Sequence, residues 1–225
     1  MSSPAELSSE RMDWQTPGYF LDLVRDVDVI DLDPCAPGEA HTPWNNPTGA
    51  VFHLHQTIAR GCGLSLRWAD AYRGGLAFVN PPYGAHLSGD VVDPDARIMR
   101  RPKGSPKGTP PVEIGRGTGW ARKIVESTGI PRIGLLPARP DADWWAFMLK
   151  HADEALLWRS PKYGARLKFR DPSTERLVTG NTAPSTVFYF GNTGTGHDEA
   201  AGDAERRARF RRVFGEHGTL IKIST

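Results

Sequence analysis

The chain has 225 residues, 39% of them hydrophobic, which is enough to bury one ordinary core and short of what two typical domains require. Lys and Arg number 28 against 26 Asp and Glu, so no global field selects a polyanionic partner, and a nucleic-acid surface has to arise from local clusters. The first residues lack the basic start and apolar run of a secretory signal, and no apolar run approaches the ~20 residues of a membrane span, so a soluble, intracellular protein with no membrane partner is expected.

Residues 1 to 12 are polar and Ser-rich and read as a flexible terminus, with order expected from about residue 13 to 225 as one domain. After Pro17, Phe20, Leu21, Leu23, Val24 and Val27 fall at helical spacing, and the VIDLDP stretch that follows has an extended pattern. Residues 34 to 47 are rich in turn formers. A helix is expected from about Gly49 to Arg60, closed by a left-handed glycine cap in Gly61-Cys62-Gly63. LSLRW and GLAFVN read as short strands, the second running straight into Pro81.

Residues 85 to 119 are rich in Gly and Pro and lack a hydrophobic period, so a mobile, basic insertion is expected there. GWARKIVEST reads as a helix and IGLLPA as a strand, and Asp141 or Asp143 is a candidate cap for a helix starting near Trp144. ARLKFR and TVFYF look like an antiparallel pair. Residues 192 to 203 read as a Gly-rich loop before an Arg-rich helix, AERRARFRRVF, and a last strand, TLIKI. Cys35 and Cys62 lie among His41, His53 and His55, but no CxxC or HxxxH pair supports a zinc site, and incidental thiols are the plainer reading.

The chemistry concentrates at Asn80-Pro81-Pro82-Tyr83. An amino group on a purine or pyrimidine is a poor nucleophile because its lone pair is delocalised into the ring. The Asn80 side-chain oxygen and the Pro81 carbonyl can each accept one of its N–H bonds, drawing the nitrogen toward tetrahedral geometry and stabilising the positive charge that develops as an alkyl group is transferred. Consecutive prolines restrict the backbone, and Tyr83 can stack on an extruded base for roughly 1–3 kcal/mol. A simple turn after an edge strand is the alternative.

Upstream, Asp31-Leu32-Asp33-Pro34-Cys35-Ala36 ends the first predicted strand, where an α/β sheet binds nucleoside-like ligands; a capped polar turn would look the same. Trp14-Gln15-Thr16-Pro17 could close over a sulfonium with a hydroxyl and an aromatic face, or simply staple a helix entry. Asp70 is a candidate contact to the adenine of a nucleoside cofactor or to the target, and equally a surface carboxylate.

The basic candidates follow the same division. Arg97, Arg100, Arg101, Lys103 and Lys107 could close over DNA phosphates or lie on a solvated linker. Arg166 and Lys168 alternate with Leu167 and Phe169 and could meet DNA at the sheet edge. Arg139 is a further DNA candidate or the local ion-pair partner of Asp141, and the Arg-rich helix is a DNA face or a solvated surface with Phe210 and Val213 turned inward.

WQTP, DLDPCA, FVNPPYG, LLPARPDADWW and the ARLKF to APSTVFYF pair, in this order, resemble the phage-type, Dam-like DNA N-6-adenine methyltransferase family over roughly residues 13 to 191. The resemblance implies an α/β, Rossmann-like methyltransferase fold, mostly parallel with an antiparallel C-terminal portion. It also implies S-adenosylmethionine as methyl donor, adenine N6 in DNA as acceptor, and the cytoplasm of a bacterial host as location. Carried onto this chain, the catalytic motif falls on Asn80, Pro81, Pro82 and Tyr83, and the cofactor motifs on Asp33 and on Trp14, Thr16 and Pro17; Pro34, Cys35, Ala36 and Asp70 complete the expected cofactor set.

The chain departs from the common pattern after the first strand, where Ala36-Pro37-Gly38-Glu39 replaces a glycine-rich turn, and in the length of its basic insertion. Cytosine N4, guanine N2 in RNA and a glutamine side chain are alternative acceptors, and a non-catalytic DNA-binding protein on this scaffold is a rival of another class. No pattern specifies an oligomeric state.

Overall fold

The computed structural model describes residues 15–36, 52–55, 63, 67–81, 97–100, 112–116, 119–171, 174–178, 183–192 and 197–221. The expected flexible terminus, Trp14, Cys62, Pro82, Tyr83, Arg101, Lys103 and Lys107 lie outside the described residues, as do most of the 49–60 helix candidate and most of the 85–119 insertion.

Helix α1 (Gly18–Val27) buries Phe20, Leu21, Val24 and Val27, the stripe that its sequence spacing predicts. Strand β1 (Ile30–Ala36) follows, then β2 (Phe52–His55), the short α2 (Trp68–Ala71) and β3 (Leu76–Val79). A two-stranded ribbon of β4 (Arg97–Arg100) and β5 (Val112–Arg116) comes next. Helix α3 (Trp120–Glu126), β6 (Arg132–Pro137), α4 (Asp143–His151) and β7 (Glu154–Trp158) continue the alternation. Then come β8 (Phe169–Arg170), β9 (Leu177–Val178), β10 (Ser185–Phe190), α5 (His197–Gly215) and β11 (Gly218–Ile221).

Seven strands form one sheet in the order β11-β7-β10-β6-β3-β1-β2. β2, β1, β3 and β6 are mutually parallel, while β10 runs antiparallel between β6 and β7, and β11 runs antiparallel to β7. The expected α/β class and the mostly parallel sheet with an antiparallel C-terminal part are therefore present. Strand alternation divides the core into two layers. Leu76, Phe78, Ile133, Leu135, Val187 and Tyr189 pack with α1 and the Phe210 and Phe214 side chains of α5. Ala77, Val79, Leu136, Phe188 and Phe190 pack on the other face with Trp68, Trp120, Ile124, Trp145 and Met148.

Several expectations are corrected. Phe52–His55 is a strand pairing with β1, not helix; Phe52 and Leu54 alternate with two histidines, a period of two inside an apparent helical pattern. Trp68, expected at the end of a strand, starts α2. The basic insertion contains the β4–β5 ribbon, with Arg97 opposite Arg116 and Arg100 opposite Val112. TVFYF does not pair with ARLKFR. Every residue of β10 is buried, so it occupies an interior place between β6 and β7, whereas Phe169–Arg170 pairs with Leu177–Val178. β7 is absent from the predicted elements, because EALLW is an apolar run without alternation directly after a helix. Helix α5 begins at His197, inside the expected loop. Neither Asp141 nor Asp143 caps α4: Ala142 holds the cap position and Asp143 lies in the first turn.

Among the described residues no helix is long and apolar enough to cross a membrane.

The amino edge of the parallel strands is held by buried charge. Arg132, at the start of β6, donates to the carbonyls of Ile124, Ile130 and Val125, closing the carboxyl end of α3, and its guanidinium lies 4.9 Å from the Phe190 ring centre. Burial lowers its pKa to about 10, with Asp153, Tyr189 and Asp203 opposing the shift, so it is charged at neutral pH. On the same edge Arg206 pairs with Asp28 at 2.5 Å, and Arg207 and Arg211 both reach the buried Glu154, at 2.5 and 2.6 Å. The Arg-rich helix thus uses three arginines to dock itself, and Phe210 is buried beneath it. Asp203 accepts from the Tyr189 hydroxyl at 2.7 Å and from Asn192 N at 2.9 Å, and burial first, then that carboxylate, pushes the Tyr189 pKa up.

Candidate functional site

Strand order places the candidate site. From β1 the chain passes outward to β2, then returns to β3 on the other side of β1, so β1 and β3 are neighbours whose onward connections diverge. At such a point the loops leave in opposite directions and open a crevice at the carboxyl ends of the two strands. β1 ends there in Asp33-Pro34-Cys35-Ala36, and Asn80-Pro81 follow directly on β3. The register pairs Leu32 with Ala77, so Asp33 and Asn80 both lie beyond this paired couple toward the carboxyl ends.

Local chemistry shapes the β1 end. Pro34 has no N–H for the ladder, and the β1–β2 register shifts between Asp33 and Ala36, the kind of irregularity that re-aims a strand terminus. Asp33 is buried, and its Oδ1 accepts from Cys35 N at 2.9 Å, fixing the turn. Asp31 acts elsewhere, since its Oδ2 accepts from Arg73 N at 2.5 Å and ties the approach to β3 back onto β1. The two carboxylates of DLDPCA are thereby separated into one that supports the sheet and one at its carboxyl edge.

Gly63 lies directly on this end. A Cβ there would overlap the Pro34 carbonyl oxygen and come within 3.0 Å of Trp120 Cη2, so glycine is required for close approach, while Gly61 and Cys62 of the expected cap lie outside the described residues. The Trp68 indole holds it by donating to its carbonyl at 2.7 Å. Gly63 and Trp68 are site-shaping residues that sequence reasoning missed; the GCG triplet was the available signal.

The N-terminal segment is brought to the same place. Gln15 exchanges two backbone hydrogen bonds with Arg170, at 3.0 and 2.9 Å, which seats Thr16 against β3. Asn80 Nδ2 donates to Thr16 Oγ1 at 2.9 Å. Thr16 and Pro17 are buried and Asn80 is half-buried. Because the amide nitrogen is engaged by threonine, the amide plane is set and Oδ1 is the acceptor end. Thr16, expected beside a cofactor, is thus a direct support of Asn80, across 64 residues of chain.

The remaining candidates divide. Pro81 is buried behind Asn80, and the Cys35 side chain is buried. Asp70 is exposed on α2, its carbonyl accepting from Arg73 Nη1 at 2.9 Å. Arg139, past the carboxyl end of β6, makes a two-pronged pair with Asp141 at 2.9 and 2.8 Å. That hydrogen-bonded pair raises the arginine pKa and lowers the carboxylate's, so the local ion pair is what forms. Arg166 and Lys168 are exposed while Leu167 and Phe169 are buried, the alternation their spacing predicts. Among the described residues no group of three or more His, Cys, Asp or Glu is arranged to hold a metal ion.

The arrangement can hold a nucleoside-like ligand against the β1 end and present a fixed amide oxygen beside it. No family model, curated protein or solved structure matches the chain.

Proposed function

We propose that the chain transfers a methyl group from S-adenosylmethionine to the N6 amino group of adenine in DNA. The observation that carries the proposal is the juxtaposition of Asp33 and Asn80 at the carboxyl ends of adjacent parallel strands, with Thr16 orienting Asn80. The residues at the β1 end fit the donor: it carries no phosphate and needs a carboxylate and a close backbone surface, which Asp33 and the Gly63–Pro34 contact offer.

When bound, S-adenosylmethionine supplies an electrophilic methyl group on sulfur. Asn80 Oδ1 and the Pro81 carbonyl accept the two amino hydrogens and hold the nitrogen lone pair in line with that methyl. As the new N–C bond forms, the methyl's bond to sulfur breaks and leaves a neutral thioether, while both oxygens stabilise the cationic nitrogen, which then releases its extra proton to water. No covalent enzyme intermediate and no general base are required, and positioning supplies most of the rate.

The acceptor comes from the sequence resemblance rather than from the site geometry, so the test has three arms. Purified protein is incubated with tritiated S-adenosylmethionine and DNA, RNA or a protein extract, and labelled nucleosides or residues are identified. Label in N6-methyladenine of DNA, abolished by Asn80→Ala with the fold retained, is the expected result. Transfer to cytosine, RNA or glutamine would replace the acceptor, and undiminished transfer by Asn80→Ala would overturn the mechanism.

A further inference from the structure

From the end of β7 through β8 the chain runs RSPKYGARLKFR, residues 159–170, carrying Arg159, Lys162, Arg166, Lys168 and Arg170 with no acidic residue. The first four are exposed, while Arg170 is half-buried and pairs with Glu175 at 3.2 Å. The segment is built, not slack. Gly164 N donates to the Ser160 carbonyl at 2.9 Å, and Gly164 takes a positive φ of 94° that suits glycine. Ser160 Oγ receives Tyr163 N at 3.1 Å and lies 2.9 Å from His217 Nδ1. The Tyr163 ring stacks on Tyr19 at 4.2 Å, and Leu167 and Phe169 are each 2% exposed. Apolar side chains thus pin the strap down and leave its cations facing water.

Its path matters more than its charge. The strap leaves β7 at the carboxyl edge, and its far end, Arg170, is hydrogen-bonded to Gln15, whose neighbour Thr16 holds Asn80. A row of exposed cations therefore runs from the end of β7 to the segment that holds Asn80. Arg206, Arg207 and Arg211 of α5, by contrast, are engaged by Asp28 and Glu154 at the opposite edge.

We propose that residues 159–170 are a preorganised phosphate-binding strap, along which a DNA strand lies while a base enters the crevice beside Asn80. This rests on the proposed function for the identity of the polyanion. Backbone phosphates are bound by cations held on a rigid surface flanking the pocket, and each phosphate so neutralised releases counterions.

The test uses the full chain with Arg159, Lys162, Arg166 and Lys168 all changed to Ala, and separately the single reversal Lys168→Glu, binding a fluorescent DNA duplex over a range of salt. The slope of log K against log salt should flatten by about 0.9 for each phosphate no longer neutralised. Affinity should fall about tenfold or more, while calorimetric binding of S-adenosylmethionine and the melting curve are retained and Arg212→Ala on α5 leaves the slope unchanged. A parent protein that methylates DNA, with an unaltered slope in both strap variants, would overturn the strap and spare the enzyme. A parent that binds DNA through the strap yet transfers no methyl would uphold the strap and overturn the enzyme. Parent protein with no affinity for DNA would remove the strap outright.

Discussion

Thr16→Val is the most direct probe of the site, because it replaces the hydroxyl that receives Asn80 Nδ2 at 2.9 Å with a methyl of nearly the same shape. Thr16 is 7% exposed, so water cannot readily take over the bond. An amide N–H left facing a buried methyl costs about 1–3 kcal/mol, and the half-buried position of Asn80 puts the expected loss near the lower end, about 1 kcal/mol. For a chain of 225 residues that lowers the melting temperature by about 2–4 °C, a small change. The effect on rate is larger. With its amide plane no longer set, Asn80 loses the geometry that grips the amino group, and a displacement of roughly 1 Å at a reacting centre costs about a hundredfold. Steady-state methyl transfer to DNA should show kcat lowered about 10- to 100-fold, with KM for S-adenosylmethionine little changed. Thr16→Ser, which keeps the oxygen, should recover most of the rate. A folded Thr16→Val protein with kcat within about twofold of the parent would show that the Thr16–Asn80 bond does not position the amide.

Gly63→Ala should weaken S-adenosylmethionine binding about tenfold, since the added methyl must displace the Pro34 carbonyl at the end of β1; an unchanged calorimetric Kd would refute this. Arg132→Leu strands the carbonyls of Ile124, Val125 and Ile130 in the core and should lower stability by about 3 kcal/mol in urea unfolding, with loss under about 1 kcal/mol counting against the account. His217 titrates below its ordinary value of 6.5, chiefly because burial penalises the charged ring. As pH falls through 6.5 the unfolded chain therefore binds that proton first, and stability present above 6.5 declines toward the lower folded pKa. Urea midpoints at pH values on either side of 6.5 should show this slope, and His217→Gln should flatten it; an identical slope in the variant would exclude His217 as its source.

The local elements were legible where one physical signal dominated. The α1 stripe of Phe20, Leu21, Val24 and Val27, the IDLDP and LAFV strands, and the helix of WARKIVE each declare themselves by periodicity over one or two turns or by a short apolar run between turn formers. Asn80 and Asp33 were legible as candidates because a polar residue ending an apolar strand has few structural reasons to be there. β7 was not legible, since EALLW has no period to separate strand from helix, and the partner of β10 was not, since pairing depends on which strand offers a fully covered place.

The sequence alone supplied the candidate groups: an Asn-Pro-Pro-Tyr motif, an Asp-Pro strand end, and basic stretches whose individual roles were open. Only the tertiary structure decided which residues meet. Thr16 reaches Asn80 because a two-bond bridge to Arg170 carries the N-terminal segment onto β3, and Gly63 covers Pro34 because Trp68 holds its carbonyl. The division of the cations has the same origin. Arg206, Arg207 and Arg211 face carboxylates at one edge of the sheet, while Arg159, Lys162, Arg166 and Lys168 face water at the other. Charge and side-chain type are local properties and can be read from the chain, but desolvation and pairing depend on what the fold places opposite each group, and no spacing along the sequence encodes that directly.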